Sequence, residues 1–229
     1  MIKAVIFDLD DTLYPEMQYV KSGFDHIANE IGNRYHKNSN KLYEELLDEY
    51  FQEKTKVFNR VLKSNGIDYC KNDVKELVLS YRDHVPKISF YEDVIPCFMI
   101  LKKMNINLGI ITDGFAISQR QKIKALKLST WMDEIIITDD LGFTYWKPHS
   151  RPFEIMKEKL DVDFSEMVYI GDNPNKDFFI GSIYPITTIK VNRKGLYQFD
   201  AYYNEIHPHY QIYSLLDLPN ILQSNAIVV

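Results

Sequence analysis

Cysteine is scarce. Cys70 and Cys97 are the only two in 229 residues, far too few for a disulfide framework, and two idle thiols suit a reducing compartment. Long apolar runs are missing too. The longest, around residues 4–7 and 108–111, have strand length, whereas a membrane span needs about 18 residues or more. Asp8 and Asp10 interrupt the apolar opening too early for a signal peptide. There is no surplus of basic charge: 27 basic against 32 acidic residues leave a net charge of -5. Nucleic acid is therefore excluded as a general partner, while a small phosphate is not. With 45% hydrophobic, 26% charged and 14% aromatic residues, chain-wide disorder, collagen and coiled coil are excluded as well. The expectation is a soluble, cytoplasmic globular protein with no membrane partner, long enough for one domain carrying an inserted subdomain.

What is present changes texture along the chain. Lys3-Ala4-Val5-Ile6-Phe7 reads as a buried strand that ends in acid at Asp8. From residue 16 the pattern turns helical. Val20, Phe24, Ile27 and Ile31 share one helix face, and Val74, Leu77, Val78, Tyr81 and Val85 share another, with Asn72 or Asp73 placed to cap it. Leu42, Leu46 and Tyr50, then Phe58, Val61 and Leu62, mark two further amphipathic helices. Beyond residue 90 helices and strands alternate, with helices near 93–104, 116–127 and 151–160 and strands near 107–112, 134–138, 167–170 and 186–191. A short helix is expected after Asn175. This alternation predicts a parallel sheet covered on both faces. The expected division is a core of residues 1–15 and 91–229 and a helical insertion of residues 16–90. The tail carries Tyr197, Phe199, Tyr202, Tyr203, Tyr210 and Tyr213, and its expected role is to cover a sheet edge.

In open parallel sheets, ligands bind beyond the carboxyl ends of the strands. The first strand runs into Asp8-Leu9-Asp10-Asp11-Thr12-Leu13, the second into Thr112-Asp113-Gly114, and the fourth into Gly171-Asp172 and on to Asp177. Lys147-Pro148 precedes the fourth. Singly, each is ordinary turn chemistry. Together they bring acids, a hydroxyl and a lysine to one edge of one sheet. A carboxylate is ionised at neutral pH and can attack phosphorus without a base. Several of them facing one pocket repel each other and a phosphate, so a divalent cation and a lysine are needed. Mg²⁺ suits such hard oxygen ligands. A hydroxyl and backbone N–H groups would hold the remaining phosphoryl oxygens. The parts are those of phosphoryl transfer.

These four runs, in this order, resemble the motifs of the haloacid dehalogenase-like (HAD) hydrolase superfamily. The resemblance implies an α/β fold: a three-layer, parallel-sheet, Rossmann-like core with an inserted all-helical cap of the C1 type. It implies a Mg²⁺-dependent phosphatase that hydrolyses a small phosphorylated metabolite, a sugar phosphate or nucleoside monophosphate, through an aspartyl-phosphate. Asp8 would be the nucleophile, with its second oxygen on the metal. Asp10 would be the general acid and then the base, giving the metal its backbone carbonyl. Thr112 would bind the phosphoryl group, helped by the Asp113 backbone, and Lys147 would neutralise Asp8 and the phosphate. Asp172 would ligate Mg²⁺, and Asp177 would ligate it or hold its waters and Lys147. Many members carry Asn where this chain has Asp113. Dehalogenating relatives lack the acid at the position of Asp10, whose presence points to phosphate esters, because an alkoxide leaving phosphorus needs a proton. These roles predict different environments, with Asp8 held ionised by Mg²⁺ and Lys147 and Asp10 placed where ionisation is less favoured, away from the metal's charge.

A phosphomutase would share the same residues, and a non-catalytic phosphate-binding or signalling module is the alternative from another class. Other residues are given bland roles. His207 and His209 read as solvent-exposed, Arg193 and Lys194 as a solvated loop, and Gln119 and Arg120 as a helix cap or surface. Tyr14 and Pro15 read as shaping the flap, and His149 is given no role.

Overall fold

Ala4–Phe7 form strand β1 and are wholly buried, because alternate side chains enter two different apolar layers. Ala4 and Ile6 join a cluster with Phe153 and Met156, while the Phe7 ring meets Phe98 edge-on at 5.4 Å between centroids. A strand covered on both faces has to be apolar at every position, which is why it reads as a continuous run. The structure, a computed structural model, describes residues 1–195 and 201–224. Tyr197 and Phe199 of the aromatic tail lie outside the described residues.

In chain order the elements are β1, α1 (Glu16–Tyr35), α2 (Ser39–Gln52), α3 (Val57–Ser64), α4 (Lys71–Asp83), α5 (Val94–Lys103) and β2 (Asn107–Thr112). They continue with α6 (Ala116–Ala125), β3 (Glu134–Ile137), α7 (Arg151–Leu160), β4 (Met167–Gly171), α8 (Ile180–Ile183), β5 (Thr187–Val191), β6 (Tyr210–Ile212) and α9 (Leu218–Ser224). The sheet has six strands in the order β3-β2-β1-β4-β5-β6, all pairs parallel. Phe98 lies on α5 and Phe153 on α7, so the two faces of β1 meet different helices. The result is a three-layer, Rossmann-like α/β fold whose strand order reverses between β1 and β4, the place where such sheets open a crevice. The edge strand β6 has no counterpart in the sequence expectation: three residues, two of them exposed, carry too little alternation to register.

The chain divides into two compact units, Met1–Glu16 with Ser89–Val229 and Met17–Ile88. The second holds α2, α3, α4 and nearly all of α1, around a core that includes Phe24, Ile27, Ile31, Leu42, Leu46, Val61, Leu62 and Leu77. Phe24 meets Tyr50, Phe58 and Tyr81 at centroid distances of 5.6, 6.3 and 5.7 Å. The cap of α4 is Cys70 rather than Asn72 or Asp73. Asp73 stands at the third helical position and accepts the Cys70 N–H at 2.7 Å, the reciprocal half of a capping box. In the first unit, Tyr91 N donates to Leu13 O at 3.0 Å, joining the segments on either side of the insertion. No helix among the described residues is long and apolar enough to cross a membrane.

Arg193 is not in a solvated loop. Its guanidinium donates to both oxygens of Asp93 at 3.0 and 2.8 Å and lies 4.3 Å from the Tyr91 ring centroid. Ser214 Oγ and Leu215 N also donate to Asp93, at 3.0 and 2.8 Å. One carboxylate thus ties the start of α5, the end of β5 and the turn before α9. Burial pushes the Asp93 pKa up, but Arg193 and the other donors outweigh it and hold it below the ordinary value. A lowered carboxyl pKa contributes stability above the unfolded-state value, and the contribution is lost as pH falls through the folded one. Arg193→Met should cost about 2 kcal/mol of stability in urea unfolding at pH 7. The gap to wild type should close as pH drops below about 4. A loss under about 0.5 kcal/mol, as for a surface residue, would contradict this account.

Candidate active site

Three strand ends supply the site. Asp8 follows β1, Thr112 ends β2 with Asp113 next, and Gly171 ends β4 with Asp172 next. Gly114 has φ +125, a conformation that favours glycine, and it turns the chain out of β2. Lys147 comes from the connection between β3 and α7, and Asp177 from the loop before α8. Asp8, Asp10, Asp113, Lys147 and Asp172 line one cavity of 320 Å³, joined by Asp11, Glu16, Trp146 and Lys176. Thr112 and Asp177 are fully buried and are not part of its lining.

Lys147 Nζ is the hub. It donates to Asp8 Oδ1 at 2.7 Å, Asp177 Oδ1 at 2.8 Å and Tyr169 Oη at 2.7 Å. Burial alone lowers its pKa, but Asp177, Asp8 and Asp113 outweigh burial and raise it. Asp177 Oδ1 also accepts from Tyr169 Oη at 3.1 Å, and its Oδ2 accepts from Asn173 N at 2.9 Å. The loop can fold back this tightly because residue 171 is glycine: a Cβ there would stand 2.3 Å from Asp177 Oδ2.

Asp8, Asp172 and Asp177 each bring a carboxylate oxygen within 4.8 Å of the others. Asp172 Oδ1 accepts from Thr12 Oγ1 at 3.3 Å, but its buried Oδ2 has no hydrogen-bond partner. Burial raises the Asp172 pKa well above the ordinary value, and the charges of Asp177, Asp8 and Asp11 raise it further. Burial likewise pushes Asp8 to about 6 against the pull of Lys147 and Lys176. A buried carboxylate oxygen without a donor, among other hard oxygen ligands, fits a divalent cation such as Mg²⁺. The residues present therefore suit the metal that the motifs imply.

Asp10 is held by a separate set of donors. Its oxygens accept from Lys122 Nζ at 2.7 and 3.0 Å, from Gln119 Nε2 at 3.0 Å, and from Tyr14 Oη in a short contact. Burial pushes its pKa up, but Lys122, Tyr14 and Gln119 outweigh burial and hold it below the ordinary value. Without a metal charge Asp10 is thus the acid more firmly held ionised, while burial pushes Asp8 up. The cause is a lysine on α6 that the motifs do not contain. Gln119, expected at a cap or on the surface, is buried, and its two Nε2 hydrogens are shared among Asp10, Thr112 Oγ1 and, at 2.9 Å, Asp113 O. Arg120, its neighbour, is a surface residue paired with Asp140 at 2.7 Å. The buried residues of α6 are Ser118, Gln119 and Lys122, and a helix whose inward face is polar is itself a signal of a site. Glu16, which belongs to none of the motifs, is pushed up to about 7 by burial and by Asp10.

Asp113 is fully engaged. Its Oδ1 accepts from Thr138 Oγ1 at 2.7 Å and Lys147 N at 3.1 Å, and its Oδ2 lies 3.3 Å from Lys176 Nζ. Burial raises its pKa, but Lys147 and Lys176 outweigh burial and lower it. His207 and His209 are exposed and far along the chain from these residues, and His209 Nδ1 accepts from Thr188 N at 3.0 Å.

Comparison with known proteins agrees with the motifs. A family model described as haloacid dehalogenase-like hydrolase matches residues 5–191. A glyceraldehyde 3-phosphate phosphatase of Methanopyrus kandleri is 32% identical over 86% of this chain and 87% of its own. One from Methanocaldococcus jannaschii is 30% identical over 98% of each. The crystal structure of a HAD phosphatase from Thermococcus onnurineus superposes with a TM-score of 0.63 at 26% identity, covering 96% of this chain and 98% of that one. The chain belongs to the haloacid dehalogenase-like hydrolases.

The α6 contacts carry a direct test. In metal-free protein, carbon-13 NMR should give Asp10 a titration midpoint below that of an ordinary aspartate. In Lys122→Met it should move above that of an ordinary aspartate, because burial then acts with less opposition. An unchanged midpoint would show that Lys122 does not set the charge on Asp10.

Proposed function

We propose that this protein is a Mg²⁺-dependent phosphatase that hydrolyses a small phosphorylated metabolite through an aspartyl-phosphate on Asp8. The observation that carries the proposal is the pairing of Lys147-bonded Asp8 with the donor-free oxygen of Asp172, while Asp10 is held by a separate set of donors. A cavity of 320 Å³ suits a small ester better than a macromolecule. A bound Mg²⁺ would neutralise charge between Asp8, Asp172 and a phosphoryl oxygen.

In this reading an Asp8 oxygen attacks phosphorus and the bond to the ester oxygen breaks. The phosphoryl group brings negative charge near Asp10, which favours its neutral form, so Asp10 takes up a proton with the substrate and gives it to the departing oxygen. Asp10, again ionised, then removes a proton from the water that attacks the acyl-phosphate, releasing phosphate and freeing Asp8. Thr112, whose hydroxyl accepts from Gln119 and makes only a long 3.5 Å contact to Asp113 O, would turn its proton to a phosphoryl oxygen. Residues 16–90 serve as a substrate-selecting cap, and the two free thiols, Cys70 and Cys97, suit the cytoplasm. The names of the relatives make a triose phosphate the first substrate to try, ahead of hexose phosphates and nucleoside monophosphates.

A panel of these esters with Mg²⁺ present should yield free phosphate, and EDTA should abolish the yield until Mg²⁺ is restored. Asp8→Asn should remove turnover of every ester. Asp10→Asn should lower kcat by about 10²–10⁴ and, with p-nitrophenyl phosphate, let phosphorylated Asp8 accumulate in rapid-quench mass spectrometry. Turnover by Asp8→Asn, or full activity without metal, would overturn the mechanism.

A further inference from the structure

An ammonium has three N–H donors, and all three of Lys147 are committed. Two go to Asp8 Oδ1 at 2.7 Å and Asp177 Oδ1 at 2.8 Å. The third goes to Tyr169 Oη at 2.7 Å. The direction of that last bond is fixed, because the Tyr169 proton is itself given to Asp177 Oδ1 at 3.1 Å. The Lys147 side chain is 0% exposed. Lys147 can therefore donate to a phosphoryl oxygen only by releasing a carboxylate or the tyrosine from a buried place, which is costly.

The same cavity contains a second ammonium. Lys176 lines it beside Asp8 and Asp172, its side chain is 24% exposed, and its one ion pair among the described residues is with Asp113 Oδ2 at 3.3 Å. Asp113 is in turn fixed by Thr138 Oγ1 and Lys147 N, so it is a rigid tether. Its charge has a use in holding a lysine at the cavity wall. One contact leaves two of the three Lys176 donors for a ligand.

The geometry points to Lys176, tethered by Asp113, as a second ammonium that donates to the substrate's phosphoryl oxygen, beside a Lys147 that also organises Asp8 and Asp177. This rests on the phosphatase reading above. The competing account is structural: Lys176 serves only to neutralise Asp113.

The test compares Lys176→Met, Lys176→Arg and the double variant Asp113→Asn/Lys176→Met with wild type. The readouts are calorimetric binding of inorganic phosphate in the presence of Mg²⁺, and kcat and KM on the best ester. Lys176→Met should weaken phosphate binding and raise KM about 10- to 100-fold, as loss of a charged hydrogen bond does, and Lys176→Arg should recover most of the loss. The double variant strands no carboxylate and so removes the structural grievance, yet it should remain as weak as Lys176→Met. Phosphate affinity in Lys176→Met within about twofold of wild type, or recovery in the double variant, would overturn the assignment. Wild type that binds phosphate but hydrolyses no ester would sink the phosphatase reading instead, and the binding measurements would still decide the role of Lys176.

Discussion

Carboxylates from separate stretches of chain do not share a buried pocket unless something of opposite sign holds them there. Here that duty falls first on Lys147 Nζ, which binds Asp8 and Asp177 at once. Much of the neighbouring sequence follows from it. Tyr169 must be a tyrosine to take the third proton while its ring packs edge-on against Phe153 at 4.8 Å. Gly171 must lack a Cβ because Asp177 curls back over it. Asn173 N closes the loop on the other Asp177 oxygen. The motif spacing is thus the footprint of one ammonium and its acceptors, and the donor-free oxygen of Asp172 is what the lysine leaves unserved.

The acids of the site were legible because each stands where a strand ends, and strand ends can be located from apolar runs. The parallel sheet was legible for the same reason. What escaped were residues whose partners are distant in sequence and whose own surroundings look unremarkable. Gln119 and Lys122 sit on a short helix rich in polar residues, and nothing local says which side faces inward. Arg193 looks like loop punctuation until Asp93, Ser214 and Leu215 are seen around it. Lys176 lies inside a motif, yet in sequence nothing separates it from a surface lysine; its distance to Asp113 does.

The environments of Asp8 and Asp10 differ in what surrounds each acid. Burial pushes the Asp8 pKa up, and Asp177 adds to it, against the pull of Lys147 and Lys176. The groups around Asp10 are donors from α6 and the flap, so its pKa falls. The site is built for positive charge to arrive beside Asp8 and for negative charge to arrive beside Asp10. A cation and an anionic ester bring those two charges, and each acid then reaches the state its proposed role requires.

The hydrogen bond from Tyr91 N to Leu13 O has a consequence for how the chain is made. β1 leaves the ribosome well before its partners, which begin at Asn107 and Met167. Everything between Leu13 and Tyr91 emerges first, and that stretch is a helical bundle of mostly local contacts, the kind that forms fastest. Four wholly apolar residues therefore wait, unpaired, while a neighbouring module finishes folding. Bringing Leu13 to Tyr91 turns that wait into an advantage. A folded bundle holds the ends of its own insertion far closer together than a loose coil of the same length would, so β1 meets β2 at a much smaller loss of chain entropy.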